Sequence, residues 1–269
     1  MRKSRLLIGA LLVLVLLALA LVAYTIVGRR SQSAEQTEVL KTGQAHLEAG
    51  AYAEAVTDLE AAVKADTGNS EAHFMLGQAY NWTGDLLKAA DEFRTVLALD
   101  PDNAAAHHNL GVTYFQLQDP NAAVAEFQAA LELEPDDADT HYQLGATYLV
   151  LALPGADPMS PPDPQLVGQA VAEFEAALRL REDMPEALIG MGNVYIQQAD
   201  YTAAIQVLQR AVAQAPDAPE GYYALGEAYA RNGNAPEACK TYGRFLELNP
   251  PQTWRAQGEQ AITALGCQP

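Results

Sequence analysis

The chain has 269 residues, 49% hydrophobic but only 7% aromatic, and its excess of alanine and leucine favours close-packed helices over sheets. Residues 31–269 carry all 34 Asp and Glu but only 11 of the 16 Lys and Arg, a formal charge of −23. A surface this acidic repels phosphate backbones, which argues against a nucleic-acid partner.

The N-terminal segment has the composition of a membrane anchor. Leu6–Val27 contains 22 residues without a charge, and 15 of them are Leu, Ile or Val. As a helix it would span about 33 Å, enough for a bilayer core of about 30 Å. The flanking charges are Arg2, Lys3 and Arg5 before the segment and Arg29 and Arg30 after it. Their small excess favours an inside N-terminus. We therefore predict a single-pass anchor within residues 1–30, in the inner (cytoplasmic) membrane, with an extracytoplasmic remainder.

An alternative is that a signal peptidase cleaves at Ala18–Ala20, because small residues there follow a short apolar run. The apolar run continues seven residues past Ala20, and no lipoprotein-type cysteine follows, which favours an uncleaved anchor. Cleavage would release a secreted module that binds peptide or carbohydrate.

After a polar linker at residues 31–35, a 34-residue unit repeats from residue 36 to 251. Each unit has a glycine, usually a tyrosine three residues later, then an alanine and a large apolar residue four residues beyond it. The glycines are Gly43, Gly77, Gly111, Gly145, Gly192 and Gly226. Apolar residues recur every three or four positions, so each unit predicts two amphipathic helices. We expect the helices to approach closely where glycine lies opposite alanine, as at Gly111 and Ala123.

This pattern resembles the tetratricopeptide repeat (TPR) family, whose repeat reads W-x₂-L-G-x₂-Y, then A-x₃-F, then P. The resemblance covers residues 36–251 and implies an all-α fold: a right-handed superhelix, or α-solenoid, of six helix pairs. The first repeat departs from the pattern with Thr42 and His46, and the fourth with Glu182. Residues 252–269 lack the repeat but alternate like a helix, so we expect a capping helix and tail there. One transmembrane helix is expected to precede the array.

The fourth repeat is longer than the others, with 47 residues. Its extra residues form a proline-rich insertion at about residues 152–169, where five prolines exclude a continuous helix. The insertion is either a tolerated surface loop or a protruding contact for a partner.

Three histidines, His73, His107 and His141, occupy the tryptophan place of the family pattern. Equivalent side chains on stacked helices lie about 8–10 Å apart and point in parallel, whereas metal ligands converge within about 2 Å of one ion. We therefore predict that these histidines pack between helices and that the chain has no metal site.

The resemblance also implies a peptide-binding groove. In the family, certain equivalent positions of successive repeats line this groove. In this sequence those positions contain Phe74, Gln78, Asn81, Trp82, His108, Asn109, Phe115, Tyr142, Gln143, Asn193 and Tyr223. TPR domains that hold acidic chaperone tails use a basic clamp, but the positions of that clamp here contain Leu40, Glu71 and Ala105. Aromatic faces with amide donors suit an uncharged or basic extended peptide instead. It stays open that these aromatics only pack between repeats.

The only cysteines, Cys239 and Cys267, are candidates for a disulfide. If the chain turns back at Pro251, the two lie at an axial offset of roughly 6 Å on antiparallel helices. The alternative is a buried thiol at Cys239 and an incidental one at Cys267. A disulfide would require an oxidising compartment.

The sequence has no phosphate-binding loop and no recognisable nucleophile pattern, so we predict no enzyme activity and no cofactor. We predict a membrane-tethered scaffold or adaptor that binds a membrane-associated protein or peptide, in assembly, maturation or secretion of an envelope protein complex. The alternative is a constitutive structural subunit of a membrane complex.

Overall fold

The structure is a computed structural model and describes residues 37–153 and 161–267. These ranges contain thirteen α-helices and no strand. The helices are α1 (residues 37–48), α2 (Tyr52–Ala65), α3 (Ser70–Thr83), α4 (Leu86–Leu99), α5 (Ala104–Gln116), α6 (Pro120–Leu133), α7 (Ala138–Ala152), α8 (Pro164–Leu180), α9 (Pro185–Gln197), α10 (Tyr201–Gln214), α11 (Pro219–Arg231), α12 (Ala235–Glu247) and α13 (Gln252–Ala264). The all-α prediction, with six helix pairs and a C-terminal helix, is confirmed.

The chain divides into two compact units, Met1–Pro101 and Asp102–Pro269. The described part of the first unit contains α1–α4, and the second contains α5–α13. In both units each helix packs on the next helix in sequence, most extensively within a predicted pair. The predicted anchor Leu6–Val27 lies outside the described residues. No helix within 37–153 or 161–267 combines the length and the apolar character that a membrane span requires.

Short polar side chains start many of the helices. Asn69 accepts a hydrogen bond from the Ala72 amide at 3.0 Å, and Asn103, 34 positions later, accepts one from the Ala106 amide at 2.9 Å. These bonds satisfy amides that the first helical turn leaves unpaired. Proline occupies the first helical position at Pro120, Pro164, Pro185 and Pro219, where its missing N–H costs nothing.

The insertion in the fourth repeat is closed at its base. The amide of Asp163 donates to the Ala152 carbonyl at 2.9 Å, and the Asp163 side chain accepts from the Gln165 amide at 2.8 Å. Because α8 begins at Pro164, the last part of the predicted insertion is helical.

In the described residues, the turn between the two helices of a repeat uses a left-handed backbone in every repeat except the fourth, whose connecting segment is only partly described. The residues with positive φ at this place are Gly50, Gly84, Gln118, Ala199 and Gly233. Glycine adopts this conformation without strain, whereas Gln118 and Ala199 bear the steric cost of a Cβ.

The repeated glycine faces a large side chain on the second helix of its pair. A Cβ built on Gly111 would lie 2.7 Å from two ring atoms of Phe127, and one on Gly77 would lie 2.8 Å from Phe93. The atoms nearest to a Cβ on Gly111 thus belong to Phe127, and the expected approach to Ala123 stays a prediction. Phe127 is fully buried, and the glycine provides the space for its ring.

Tyrosines connect the first helix of a repeat to the second helix of the repeat before it. In the second unit, Gln128 donates to the Tyr148 hydroxyl at 2.9 Å and Gln209 donates to the Tyr229 hydroxyl at 2.8 Å. In the first unit, the Tyr80 hydroxyl donates to Glu60 at 2.5 Å, and burial together with that bond raises the pKa of Tyr80. These bonds add directional contacts to the apolar packing between repeats.

The C-terminal helix α13 is attached covalently and by packing. Cys239 in α12 and Cys267 after α13 form a disulfide with a Cα–Cα distance of 5.7 Å. Gly258 in α13 lies against Phe245, because a Cβ there would come within 2.6 Å of the ring. The helix covers the end of the last pair, as a capping helix does.

Candidate functional site: an apolar cavity in the second unit

The second unit contains an open cavity of about 610 Å³ between helices of the third to sixth repeats. Its apolar lining consists of Phe115, Tyr142, Ala146, Leu149, Val150, Leu153, Phe174, Ile189 and Ile196. Its polar lining includes Glu186, Asn193, Gln197, Tyr201, Glu227 and Arg231. A volume of this size is typical of sites that bury a ligand or several side chains of a partner.

Two neighbouring aromatic rings form the floor of the cavity. The Tyr142 ring lies 6.2 Å from the Phe174 ring, and Phe174 is almost fully buried. At the rim, Val150 and Leu153 are 46% and 49% exposed. Burial of exposed apolar side chains beside a recess is favourable, so they mark a surface that a partner can stabilise by covering it.

Charge in the cavity is unevenly compensated. Arg231 Nε lies 2.8 Å from Glu227 Oε1, so these two side chains neutralise each other. Glu186, in the first turn of α9, is exposed and lies near Tyr142. Burial, and next the charge of Glu186, raises the pKa of the Tyr142 hydroxyl, which keeps it protonated and able to donate a hydrogen bond.

The predicted groove residues of the second unit line more than one recess. Phe115, Tyr142 and Asn193 line the cavity together. His108 and Asn109 line a smaller recess of about 210 Å³ with Asp137 and Asp139. The amide nitrogen of Asn109 donates to the Ala105 carbonyl at 2.8 Å, so it is engaged by its own helix.

His108 belongs to a hydrogen-bonded chain. Its Nδ1 lies 2.6 Å from Thr140 Oγ1, and that hydroxyl donates to Asp137 Oδ2 at 2.5 Å. Because the hydroxyl has only one hydrogen, it accepts from His108, and Nδ1 carries the imidazole hydrogen. Burial lowers the pKa of His108, and the charges of Asp137 and Asp139 oppose this only in part.

The other two predicted residues of this unit lie outside the cavity lining. Gln143 is half-buried on α7. The Tyr223 ring lies 5.7 Å from Tyr242, 5.3 Å from Phe245 and 6.2 Å from Trp254. These contacts match the alternative interpretation for Tyr223, packing of the last repeat against its cap.

The first unit contains the remaining predicted residues, all on α3. Phe74 packs edge-on against Phe93 with ring centroids 5.7 Å apart, and Gln78 and Asn81 are half-buried. Trp82 is 67% exposed and stacks on Tyr52 at 5.0 Å with 4° between the ring planes. One face of the indole is thus covered by this chain.

The three histidines of the tryptophan place each bind a glutamate on the second helix of their own repeat. The pairs are His73–Glu92, His107–Glu126 and His141–Glu173. In the described residues, no group of three or more His, Cys, Asp or Glu side chains is arranged to hold a metal ion.

Sequence reasoning missed the rim residues Val150 and Leu153, together with Glu186 and Tyr201. A signal for the rim was present: Leu149–Leu153 is apolar throughout, whereas the same five positions after Tyr80 and Tyr195 include polar residues. Glu186 and Tyr201 have no such signal, because only the packing of α9 and α10 places them at the cavity.

The arrangement of helix pairs, with a glycine facing a large apolar residue in each, defines a helical-repeat protein. Family models described as "TPR repeat" match residues 113–150 and 192–233, and models described as "Tetratricopeptide repeat" match 40–104, 92–125 and 219–251. Together these matches cover two continuous ranges, residues 40–150 and 192–251, which make up more than half of the chain. The chain belongs to the tetratricopeptide repeat family.

Comparison with curated proteins gives no match. Among solved structures, pilF of Pseudomonas aeruginosa is 19% identical with a TM-score of 0.66, covering 84% of this chain and 99% of pilF. PilW, described as a widely conserved type IV pilus biogenesis factor, is 18% identical with a TM-score of 0.68, covering 80% and 93%. MamA is 22% identical with a TM-score of 0.55, covering 65% and 94%. At these identities the likeness establishes the fold alone.

Proposed function

We propose that this protein is a scaffold that binds a segment of a protein partner in the cavity of the second unit, and that it acts by binding rather than by catalysis. The observation that carries the proposal is the open apolar cavity with two exposed aliphatic side chains, Val150 and Leu153, at its rim. Aromatic walls with a few polar groups give such a site both affinity and orientation.

The proposal includes a membrane tether. Leu6–Val27 has the length and composition of a transmembrane anchor, and the flanking positive charges favour an extracytoplasmic array. The disulfide between Cys239 and Cys267 is compatible with an oxidising compartment. Tethering would raise the local concentration of a membrane partner, so that weak contacts suffice. Assembly, maturation or secretion of an envelope complex is the role that we propose, and the likeness to a pilus biogenesis factor is compatible with it.

Site-specific photo-crosslinking in membranes tests the binding site. A photoreactive phenylalanine at Val150 should crosslink a discrete partner, whereas the same residue at Leu133 should not. Leu133 is a suitable control because it is also a partly exposed aliphatic residue, at the end of α6 and outside the cavity lining. Adding Phe115→Ala or Tyr142→Ala should remove the Val150 product. Equal products at both positions, or a product that survives both alanine variants, would refute the cavity as the site.

The tether is tested separately. An uncleaved anchor predicts that the full chain stays in the pellet after alkaline carbonate extraction and that its mature N-terminus precedes Leu6. Protease added to spheroplasts should degrade residues 37–267 if the array is outside. A mature N-terminus just after Ala20, in a protein that carbonate extracts from the membrane, would refute the anchor and show that the protein is secreted.

A further inference from the structure

The cavity of the second unit has an uncompensated negative charge beside its apolar floor. In the described part of the chain, Arg231 is the one cation that lines it, and Arg231 is paired with Glu227 at 2.8 Å. Glu186 therefore has no counter-ion in the lining, although the cavity places it among apolar side chains such as Ile189 and Tyr142.

Glu186 and Tyr142 belong to different repeats but lie close together in the cavity lining. The Glu186 carboxylate contributes, after burial, to the raised pKa of the Tyr142 hydroxyl. The Tyr142 hydroxyl is therefore neutral, and the negative charge available to a bound ligand at this place is that of Glu186. A carboxylate next to a neutral donor accepts a cation and repels an anion.

We propose that the bound segment carries an apolar anchor and, next to it, a lysine or arginine that pairs with Glu186. The anchor packs on Tyr142, Phe174 and Ile189 and is covered by the rim residues Val150 and Leu153. This inference rests on the proposed function, because it specifies the partner of the same cavity.

Long-range charge favours the same partner. Residues 31–269 have a formal charge of −23, so a cationic segment is attracted to this surface and an acidic one is repelled. General attraction acts at every acidic position, whereas pairing with Glu186 is local. The two contributions are separated by neutralising Glu186 or a nearby carboxylate outside the cavity lining.

Glu182 provides that matched control. It lies four residues before Glu186, is also exposed, and does not line the cavity. Glu182→Gln and Glu186→Gln remove the same charge from nearly the same place in the chain. A difference between them therefore reports a local contact and not the overall field.

The experiment uses the full chain in nanodiscs of zwitterionic lipid and a phage-displayed library of random 12-residue peptides, with empty nanodiscs as the background. Selected sequences should combine large apolar residues with lysine or arginine, and their enrichment should disappear with Phe115→Ala. For a selected peptide made synthetically, Glu186→Gln should weaken binding about two- to fivefold, the range of a partly exposed ion pair. Glu182→Gln should leave it unchanged. Glu186→Lys should shift the selected sequences toward Asp and Glu.

The possible failures are distinguishable. Apolar peptides that need Phe115 but show no charge preference, or equal effects of Glu182→Gln and Glu186→Gln, would overturn the pairing with Glu186 and leave the proposed function standing. No enrichment above empty nanodiscs would overturn both. Thermal unfolding of each variant excludes a general loss of fold as the cause.

Discussion

The Nδ1 atom of His107 lies 2.7 Å from the Glu126 carboxylate and joins the two helices of the third repeat. The same contact recurs at 2.5 Å between His73 and Glu92, and at 2.6 Å between His141 and Glu173. Because a carboxylate only accepts, each Nδ1 donates. The histidines thus replace the apolar contact of the family's tryptophan with a polar bond inside the repeat.

Removing this bond should destabilise the second unit. Glu126→Ala removes the carboxylate that accepts from His107 Nδ1, and we expect a loss of about 1–2 kcal/mol in the free energy of unfolding. Glu132→Ala makes the same change at an exposed position of the same helix and should stay within about 0.5 kcal/mol of wild type. Urea unfolding followed by circular dichroism measures both. Equal midpoints for the two variants would show that the bond contributes nothing.

Two glycines should respond to alanine with opposite signs. A Cβ on Gly111 would meet Phe127 at 2.7 Å, whereas one on Gly243 in α12 meets nothing within 4 Å. Gly111→Ala should therefore cost roughly 1–3 kcal/mol through overpacking. Gly243→Ala should add up to about 1 kcal/mol of stability, because alanine is the better helix former. Thermal melts of the two variants give the signs directly, and a stabilised Gly111→Ala would contradict the contact.

The left-handed turns offer stabilising substitutions. Gln118 has φ of 61° and Ala199 has φ of 59°, where a residue with a Cβ costs about 1–2 kcal/mol relative to a relaxed backbone. Gln118→Gly should raise the unfolding midpoint, although the gain is reduced by the greater freedom of glycine in the unfolded chain. Gly84→Ala, at the equivalent turn of the first unit, should lower it. A lower midpoint for Gln118→Gly would be inconsistent with this conformation.

The helix pairs were predictable because small and apolar residues recur at fixed spacing in each 34-residue unit. The close contact of Phe127 with Gly111 needed the structure, because the period alone gives no distances. Of the predicted groove residues of the second unit, Phe115, Tyr142 and Asn193 line the cavity, since equivalent positions in successive repeats do not make equivalent contacts. Tyr223 packs into the cap. His108 bonds Thr140 in the next repeat.

Stability should depend on pH through His108. Its pKa in the folded chain is lowered, with burial as the main cause, so the folded state holds its proton less tightly than the unfolded chain. The stability due to neutral His108 is complete above about pH 6.5, the ordinary value. It is lost as the pH falls from there through the folded pKa.

The variant that isolates this effect is His108→Gln, which does not titrate and retains a donor toward Thr140. Between pH 7.5 and 5, wild type should lose more stability than His108→Gln in urea unfolding. A histidine resonance assigned to His108 by NMR should titrate below the ordinary range. Parallel pH profiles for the two proteins would show that His108 does not contribute, and titration above the ordinary value would contradict the lowered pKa.

The disulfide predicts a large effect of reduction. The bridge joins residues 28 positions apart, and loss of a loop of this size costs on the order of 3–4 kcal/mol in the chain-entropy treatment. Dithiothreitol, or Cys267→Ser, should lower the unfolding midpoint of the second unit accordingly. Thiol alkylation in freshly lysed cells should label neither cysteine until reductant is added. Two thiols that react without reductant would exclude the bridge in the cell and argue against an oxidising compartment.

The position of the bridge also determines how the chain responds to mechanical pulling. Cys267 comes after α13, and its partner Cys239 lies near the start of α12. A force applied to the last residues therefore passes through the sulfur atoms into α12 and does not peel α13 away turn by turn. An unfolding machine that grips the C-terminus would have to pull on the body of the sixth repeat at once, and would then have to thread two strands of a closed loop side by side.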